Sequence, residues 1–404
     1  MPTTTMHDNS SLLHKRIIVS VTNDLVTDQR VHRSCSALVD AGCEVVLVGR
    51  LLKDSRMLSR QYKTVRMRLL FDKKVFFYAE YNIRLFLRLF FSKADVFYTN
   101  DTDTLLANYL AARLRRKPLF FDAHELFPEM PELVGRKWVK RFWTRIEDFV
   151  FPRIAKRDDM AAVTVCQSIA DIYKERYGIE MAVVRNVPME YPSDDNGYEA
   201  KADILLAHIP ADKKILLYQG AVNMGRGIEW VIAAMPLLPD CHFVVAGTGD
   251  EYSRLSKENA AVPNVTFLGR VEPPVLHCLT RKAALGMSLL ENKGLNYYYS
   301  LPNRLADFIQ AGVPVVATDF PEIRKVVATY GVGTLVSSEC NADASGLVPQ
   351  ADAEQLARTV SDALSYWQEL PKSERESRFS RASSDLSWKN DKKTLLLQIG
   401  TIIN

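Results

Sequence analysis

Apolar residues recur along the N-terminal half in short runs that alternate with helical spacing. Arg16–Val21 is a compact apolar run of the kind that forms a buried strand. Asp28–Ala41 follows with Val31, Cys35, Leu38 and Val39 on one helical face, and Ala41-Gly42 ends that helix before a second strand at Glu44–Val48. The rhythm returns as Asp95–Thr99 (strand), Thr102–Arg113 (helix) and Pro118–Phe121 (strand). Such alternation predicts parallel strands with helices on both faces of the sheet. The polar stretch Tyr191–Tyr198 (YPSDDNGY) reads as a linker, after which the α/β pattern starts again. Strands are expected at Lys214–Gln219, Cys241–Ala246, Val265–Leu268, Ala284–Leu289 and Pro314–Ala317, and helices at Ile228–Leu237 and Asn303–Ala311. An amphipathic helix from Ser387 to Ile403 closes the pattern, with Trp388 at its start. Two such sheets facing each other create a cleft at the carboxyl ends of their strands, where ligands of these folds bind.

Length and composition agree with two domains. The chain has 404 residues, suited to two cores of ~200 residues each. With 47% hydrophobic and 25% charged residues it is ordinary globular material, and a net charge of +4 gives no case for nucleic-acid binding. The cysteines at 35, 43, 166, 241, 278 and 340 form no C-x-x-C pair, which points to buried thiols in a reducing compartment. The polar start Met1–Leu13 lacks a signal-peptide core, and no run of about 18 apolar residues occurs, so a cytoplasmic protein is expected.

The candidate chemistry begins with exclusions. The loop after the first strand, Asn23-Asp24-Leu25-Val26-Thr27-Asp28, carries no G-x-G-x-x-G, and there is no Walker lysine loop or H-E-x-x-H. Gly247-Thr248-Gly249 also fails the dinucleotide fingerprint, because position 252 is Tyr. Two segments remain. The strand Lys214–Gln219 runs into Gly220, Asn223, Gly225 and Arg226-Gly227 at a helix start, where glycines permit close approach and an arginine can grip a diphosphate. The second is Ser300-Leu301-Pro302-Asn303, in which Pro302 suits a first helical turn and Ser300 is placed to cap it, with Asp307 one turn further on to meet ribose hydroxyls.

These segments lie among others that together resemble the retaining glycosyltransferases of the GT-B fold, in particular family 4 (glycosyl transferases group 1). The resemblance runs through T-D-Q-R-V-H-R-S-C-S-A-L-V-D-A-G-C-E-V, F-D-A-H-E-L-F, R-N-V-P, Y-Q-G-A-V-N-M-G-R-G-I-E, V-V-A-G-T-G-D, V-T-F-L-G-R-V and S-L-P-N-R-L-A-D-F-I-Q-A-G-V-P-V-V-A-T, and ends at Ser387-Trp388. It implies an α/β protein of two Rossmann-like domains facing across a cleft. An acceptor-side domain would span 1–193 and a donor domain 194–386, with a helix at 387–404 crossing back to the N-terminal domain. The resemblance puts the diphosphate cation on Arg226, the phosphate-capping loop on Ser300–Asn303, the donor-binding acid on Asp307 and a sugar-facing histidine on His124, flanked by Asp122 and Glu125. Gly220, Asn223, Leu301 and Pro302 complete the donor side. It implies no cofactor and no metal, the nucleotide-sugar being a co-substrate.

Three positions depart from the family's pattern. Tyr299 stands where the first of two glutamates is usual, Glu291 lying too far upstream. Ala221 replaces an arginine after Gly220, and Asp307 replaces a glutamate. The shared fold keeps open a nucleotide-sugar 2-epimerase, and these departures keep open a catalytically weakened donor-binding protein. Asp101-Thr102-Asp103 has the form of a metal-binding D-x-D, but its place at a strand end makes Asp101 or Thr102 the expected helix N-cap. Asn100 and Asp101 can still face the cleft, and Asp28, Gln29, Arg30 and His32 at the first helix start are acceptor-side candidates. Finally, 66–93 mixes Arg66, Arg68, Lys73, Lys74, Arg84, Arg88 and Lys93 with Phe71, Phe76, Phe77, Phe86, Phe90 and Phe91. A helix of this composition can lie on an anionic membrane, which would suit a lipid-linked acceptor. Equally, its apolar face can pack on the sheet while the arginines snorkel.

Overall fold

A computed structural model describes residues 9–26, 28–53, 55–71, 74–130, 136–188, 197–337 and 348–403. Thr27, Lys73, Cys340 and residues 191–196 of the expected linker lie outside them; Tyr198 opens the helix Tyr198–Leu206. The chain forms two compact units. One comprises residues 1–186 and 389–404, the other residues 187–388.

The first unit is built on β1 (Arg16–Asp24), β2 (Glu44–Leu51), β3 (Lys63–Arg68), β4 (Val96–Asn100), β5 (Leu119–Ala123), β6 (Met160–Thr164) and β7 (Ala182–Val183). These strands pair in parallel in the order β3-β2-β1-β4-β5-β6-β7. Every residue of β4 and β5 is buried, as expected of central strands covered on both faces. Helices α1 (Gln29–Asp40) and α3 (Asp101–Arg115) are crossovers between parallel neighbours, whereas α2 (Lys74–Phe90) carries the chain from the edge strand β3 past β2 and β1 to β4. Asp28 caps α1 by accepting from the Val31 amide at 3.0 Å. The expected strand at Asp95–Thr99 is shifted by one residue, and Arg66 and Arg68 prove to lie in an edge strand instead of in the basic helix, which starts only at Lys74.

The terminal helix, Trp388–Gly400, joins this first unit from Lys389 onward. Its Asp391 carboxylate takes the Arg185 amide at 3.0 Å and the Arg185 guanidinium at 2.9 Å, and Lys392 pairs with Asp40 at 2.7 Å.

The second unit carries β8 (Lys214–Gln219), β9 (Cys241–Ala246), β10 (Val265–Gly269), β11 (Leu285–Ser288), β12 (Val315–Thr318) and β13 (Gly333–Val336), parallel in the order β10-β9-β8-β11-β12-β13. One apolar core runs through it, with Leu216, Leu217, Phe243, Phe308, Val315 and Phe320 wholly buried. In both sheets strand order reverses beside the first strand, between β1 and β4 and between β8 and β11. Polar side chains carried past those carboxyl ends are therefore the ones placed to meet ligands. Among the described residues no helix is long and apolar enough to cross a membrane.

Candidate active site

In the first unit the carboxyl ends of β4 and β5 gather a charged cluster. Asp122, at the end of β5, is wholly buried and accepts from Arg30 at 2.6 Å and from the Tyr98 hydroxyl at 2.7 Å. Arg30, also buried, gives a further hydrogen bond to the Val184 carbonyl at 2.8 Å. Burial alone would raise the Asp122 pKa, but the Arg30 charge, followed by His124, holds it well below the usual carboxylate range.

His124 follows two residues later. Its ring nitrogens lie 3.3 Å from Asp101, 3.6 Å from Asp122 and 3.0 Å from the Asn100 side-chain oxygen, and its amide donates to Asp101 at 2.7 Å. Burial opposes charge on this imidazole, yet Asp101 and then Asp122 outweigh it and push the pKa up to about 9. Near neutral pH His124 is therefore a cationic hydrogen-bond donor, poorly suited to accept a proton. Asn100 is fixed in turn by its bond to the Ser20 carbonyl at 2.9 Å.

The expected cap of α3 is corrected by this geometry. Asn100 occupies the N-cap position with no side-chain cap bond, because the His124 amide claims Asp101 and Thr102 turns inward to Glu147 at 2.8 Å. Asp101 takes a left-handed backbone (φ 55°), a strained choice for a non-glycine residue that its two bonds to His124 help hold. Asp103 points elsewhere, hydrogen-bonded by Thr22, so the D-x-D carboxylates have different partners. Of the other candidates here, Asp28 serves as the α1 cap, and His32 meets the Tyr62 hydroxyl at 2.9 Å. Gln29 and Glu125 lie near the same strand ends, Gln29 exposed and Glu125 half-buried.

Two buried acids behind this cluster were not evident in the sequence. Glu147 takes hydrogen bonds from Thr102 and from Tyr177 (3.2 Å), while burial pushes its pKa up to about 7. Burial, then the charge of Asp101, also pushes Asp103 up to about 7.

In the second unit the loop after β8 forms a tight cradle. Gly247 has φ 152°, and a Cβ there would sit 1.8 Å from the Gly220 carbonyl oxygen, so only glycine lets the two strand ends approach. The Asn223 side-chain oxygen accepts from the Asp250 amide at 3.2 Å, tying the two loops together. Gly227 (φ 68°) is the N-cap of the helix Ile228–Ala234.

Arg226 projects from this turn with its guanidinium 4.6 Å from the Tyr297 ring centre. Its Nε is buried without a hydrogen-bond partner. Arg304, in the first turn of the helix Asn303–Gln310, is buried with its guanidinium 4.4 Å from the Tyr218 ring and its Nη1 likewise unpartnered. Burial lowers the Arg304 pKa, and the neighbouring Arg226 charge lowers it further. Among the described residues neither arginine forms an ion pair with a carboxylate. Two adjacent guanidiniums, each against an aromatic face and without a carboxylate partner among the described residues, have the charge and donors to receive an anion. In the sequence, Arg304 is signalled only by its i,i+3 spacing to Asp307, which places both on one helical face.

Asp307 accepts from Gln219 at 3.0 Å, and Gln219 accepts from Thr280 at 2.7 Å. The expected Ser300 cap does not form: its hydroxyl donates to the Tyr297 carbonyl at 2.9 Å, and buried Pro302 is the N-cap. Ser300 is thus turned back, Leu301 is half-buried and Asn303 exposed, which leaves Arg304 as the cationic side chain of this turn. Glu291 bonds through its amide to the Gly225 carbonyl at 3.0 Å and pairs with Lys293 at 2.9 Å, beside the same turn.

Comparison with known proteins follows the same division. Residues 28–188 match the family model "Glycosyltransferase Family 4" and residues 213–365 match "Glycosyl transferases group 1". A phosphatidyl-myo-inositol mannosyltransferase of Mycobacterium leprae is 26% identical over 170 residues, 39% of this chain and 42% of that protein. A sucrose-phosphate synthase structure from Thermosynechococcus elongatus is similar at TM-score 0.71 and 17% identity, over 94% of this chain and 97% of that one. Anabaena HepE in complex with UDP-glucose is similar at TM-score 0.64 and 14% identity, over 96% and 98%.

Proposed function

Because this chain is a glycosyltransferase of the GT-B fold, of the group 1, family 4-like kind, we propose that it moves a sugar with retention from a nucleoside-diphosphate sugar to a glycan or lipid-linked acceptor. The sugar is a hexosyl or N-acetylhexosaminyl unit, and the setting is synthesis of cell-surface polysaccharide or glycoconjugate. The observation that carries this reading is the unneutralised pair Arg226 and Arg304 beside the glycine turn. Their charge stabilises the diphosphate as the glycosidic bond breaks, the role a metal ion plays elsewhere. Asp307, positioned by Gln219, binds ribose hydroxyls. His124, as an imidazolium, offers a hydrogen bond to the transferred sugar. The resemblance to a protein solved with UDP-glucose supports a uridine donor among those to test first.

A panel of UDP, GDP and ADP tests the donor site. One of them is expected to stabilise the intact protein by about 2.7 kcal/mol at a hundredfold excess over Kd, read as a rise in its unfolding temperature. No shift with any of the three removes the basis of the reading. Incubation of the stabilising nucleotide's sugars without acceptor then separates transfer from epimerisation, which consumes donor on its own.

Peripheral contact with an anionic membrane belongs to the same proposal. On α2, Phe76 is 68% and Ile83 62% exposed, beside Arg84 and Arg88. Exposed apolar groups interleaved with cations insert at a lipid surface. Sedimentation with phosphatidylglycerol vesicles, but not phosphatidylcholine vesicles, is expected, and F76S/I83S weakens it by about tenfold, near 1.4 kcal/mol. Equal sedimentation with both vesicle types, or no loss in the variant, excludes the contact.

A further inference from the structure

The first unit contains a cavity of about 750 Å³ that neither the charged cluster nor the donor turn uses. It falls within the ~300–1,000 Å³ typical of small-molecule sites. Its floor is one face of the sheet. Ile18 of β1, Val46 and Val48 of β2, and Val65 and Met67 of β3 line it, and their i,i+2 spacing puts them on the same side. The register Ile18↔Val46 and Val48↔Val65 sets them side by side. Leu87 and Phe91, at and just past the end of α2, complete an apolar lining and stand 48% and 77% exposed at the surface.

The polar lining has one sign. Apart from Ser92, every polar residue of the cavity is a cation: Arg16, Lys63, Arg84, Arg88 and Lys93. Arg16 lies 3.6 Å from Glu44, and Arg84 pairs with Glu80 at 2.6 Å; Asp95 accepts from the Arg16 amide and pairs with Lys117. Lys63, Arg88 and Lys93 form no ion pair among the described residues. Arg16 and Lys63 begin β1 and β3, and Lys93 precedes β4, so this charge gathers at the amino ends of the strands. His124 lies past their carboxyl ends. The nine residues of β1 span about 28 Å.

We propose that this cavity binds an anionic amphiphile: a single alkyl or isoprenoid chain on the sheet floor, its terminal phosphate held by Lys63, Arg88 and Lys93. An apolar floor alone would suit any hydrophobe, and surface cations alone any anion. Their combination selects a molecule with both parts, since a chain on the floor leaves water and a phosphate among the cations gains charge-assisted hydrogen bonds. Bound at the amino ends of the strands, the ligand is an anchor or effector, and its occupancy is independent of the donor turn.

The test uses the intact protein and decyl phosphate below its micellar concentration, followed by titration calorimetry. Saturable one-to-one binding is expected, with decanol and inorganic phosphate each at least about tenfold weaker. R88E/K93E and K63E, which alter exposed side chains only, raise the Kd about tenfold or more, and V65W blocks binding by filling the floor. Should V65W fail to fold, the charge variants decide. Absence of saturable binding, equal binding of decanol or of phosphate alone, or unchanged affinity in both charge variants overturns the proposal. None of these outcomes bears on nucleotide binding, which the UDP, GDP and ADP panel reads separately.

Discussion

Arg226→Ala is expected to lower turnover of an accepted nucleotide-sugar by roughly 10²–10³-fold with little change in folding stability. The first half follows from where charge develops. A leaving nucleoside diphosphate gains negative charge as its bond to the sugar breaks, and removal of one preorganised donor to a developing oxyanion costs about that factor. The second half follows from the resting geometry. The Arg226 Nε is buried without a partner, and the nearby Arg304 charge repels it. Losing such a group forfeits a cation–π contact of about 0.5–2 kcal/mol with Tyr297 but also relieves an unsatisfied donor costing about 1–3 kcal/mol. R226K should recover only part of the rate, because an ammonium keeps the charge without the planar fork. Steady-state kinetics at saturating donor, beside thermal unfolding of each variant, checks both halves. Less than about a threefold loss of kcat in R226A removes this residue from the reaction, and a large fall in unfolding temperature makes it structural.

The sequence made the fold legible where its periodicities were long and unambiguous. Val31, Cys35, Leu38 and Val39 placed α1, and the apolar runs at 16–21, 214–219 and 241–246 became β1, β8 and β9. The edge strand β3 was lost among the cations that follow it, since Lys63–Arg68 has neither a long apolar run nor a glycine boundary. The site was legible in its glycines and in Arg226, whose types are dictated by backbone approach and charge. It was illegible where side-chain bonding chose among local options. Ser300 turns back to Tyr297 and leaves the cap to Pro302, and Asp101 gives up capping to bind His124. The first is a local bond to the carbonyl three residues back that competes with capping, and the second depends on a partner 23 residues away; spacing alone decides neither. Arg304 was hidden because its surroundings are set by Tyr218 and Arg226, both distant in the chain.

Asp122→Asn is expected to be the most destabilising single change in the first unit. The substitution keeps volume and one acceptor but removes the negative charge that neutralises buried Arg30 at 2.6 Å. Breaking a buried pair from one side costs about 3–5 kcal/mol, because the remaining charge is left uncompensated. For a unit of this size that lowers the unfolding temperature by roughly 10 °C. The pH dependence carries the sign. The folded pKa of Asp122 is depressed, so its contribution is present above about pH 4 and is lost as pH falls through the folded value. The folded pKa of His124 is raised to about 9, so its contribution is complete below about pH 6.5 and disappears as pH rises through 9. Asp103 and Glu147, raised to about 7, bind protons more tightly in the fold and therefore add to the loss between about pH 4 and 7. The native protein should thus lose stability steadily from pH 5 to pH 9, whereas D122N, whose His124 lacks one of its two carboxylates, falls less steeply above pH 6.5. Denaturant unfolding at pH 5, 7 and 9 reads this directly. Arg30→Met supplies the control: if Arg30 and Asp122 act as one unit, the double variant is much less damaged than the sum of the single ones. Additive losses would instead mean that each residue is held by its other partners, Val184 for one and Tyr98 for the other, and that the pair is not what fixes His124 at the end of β5.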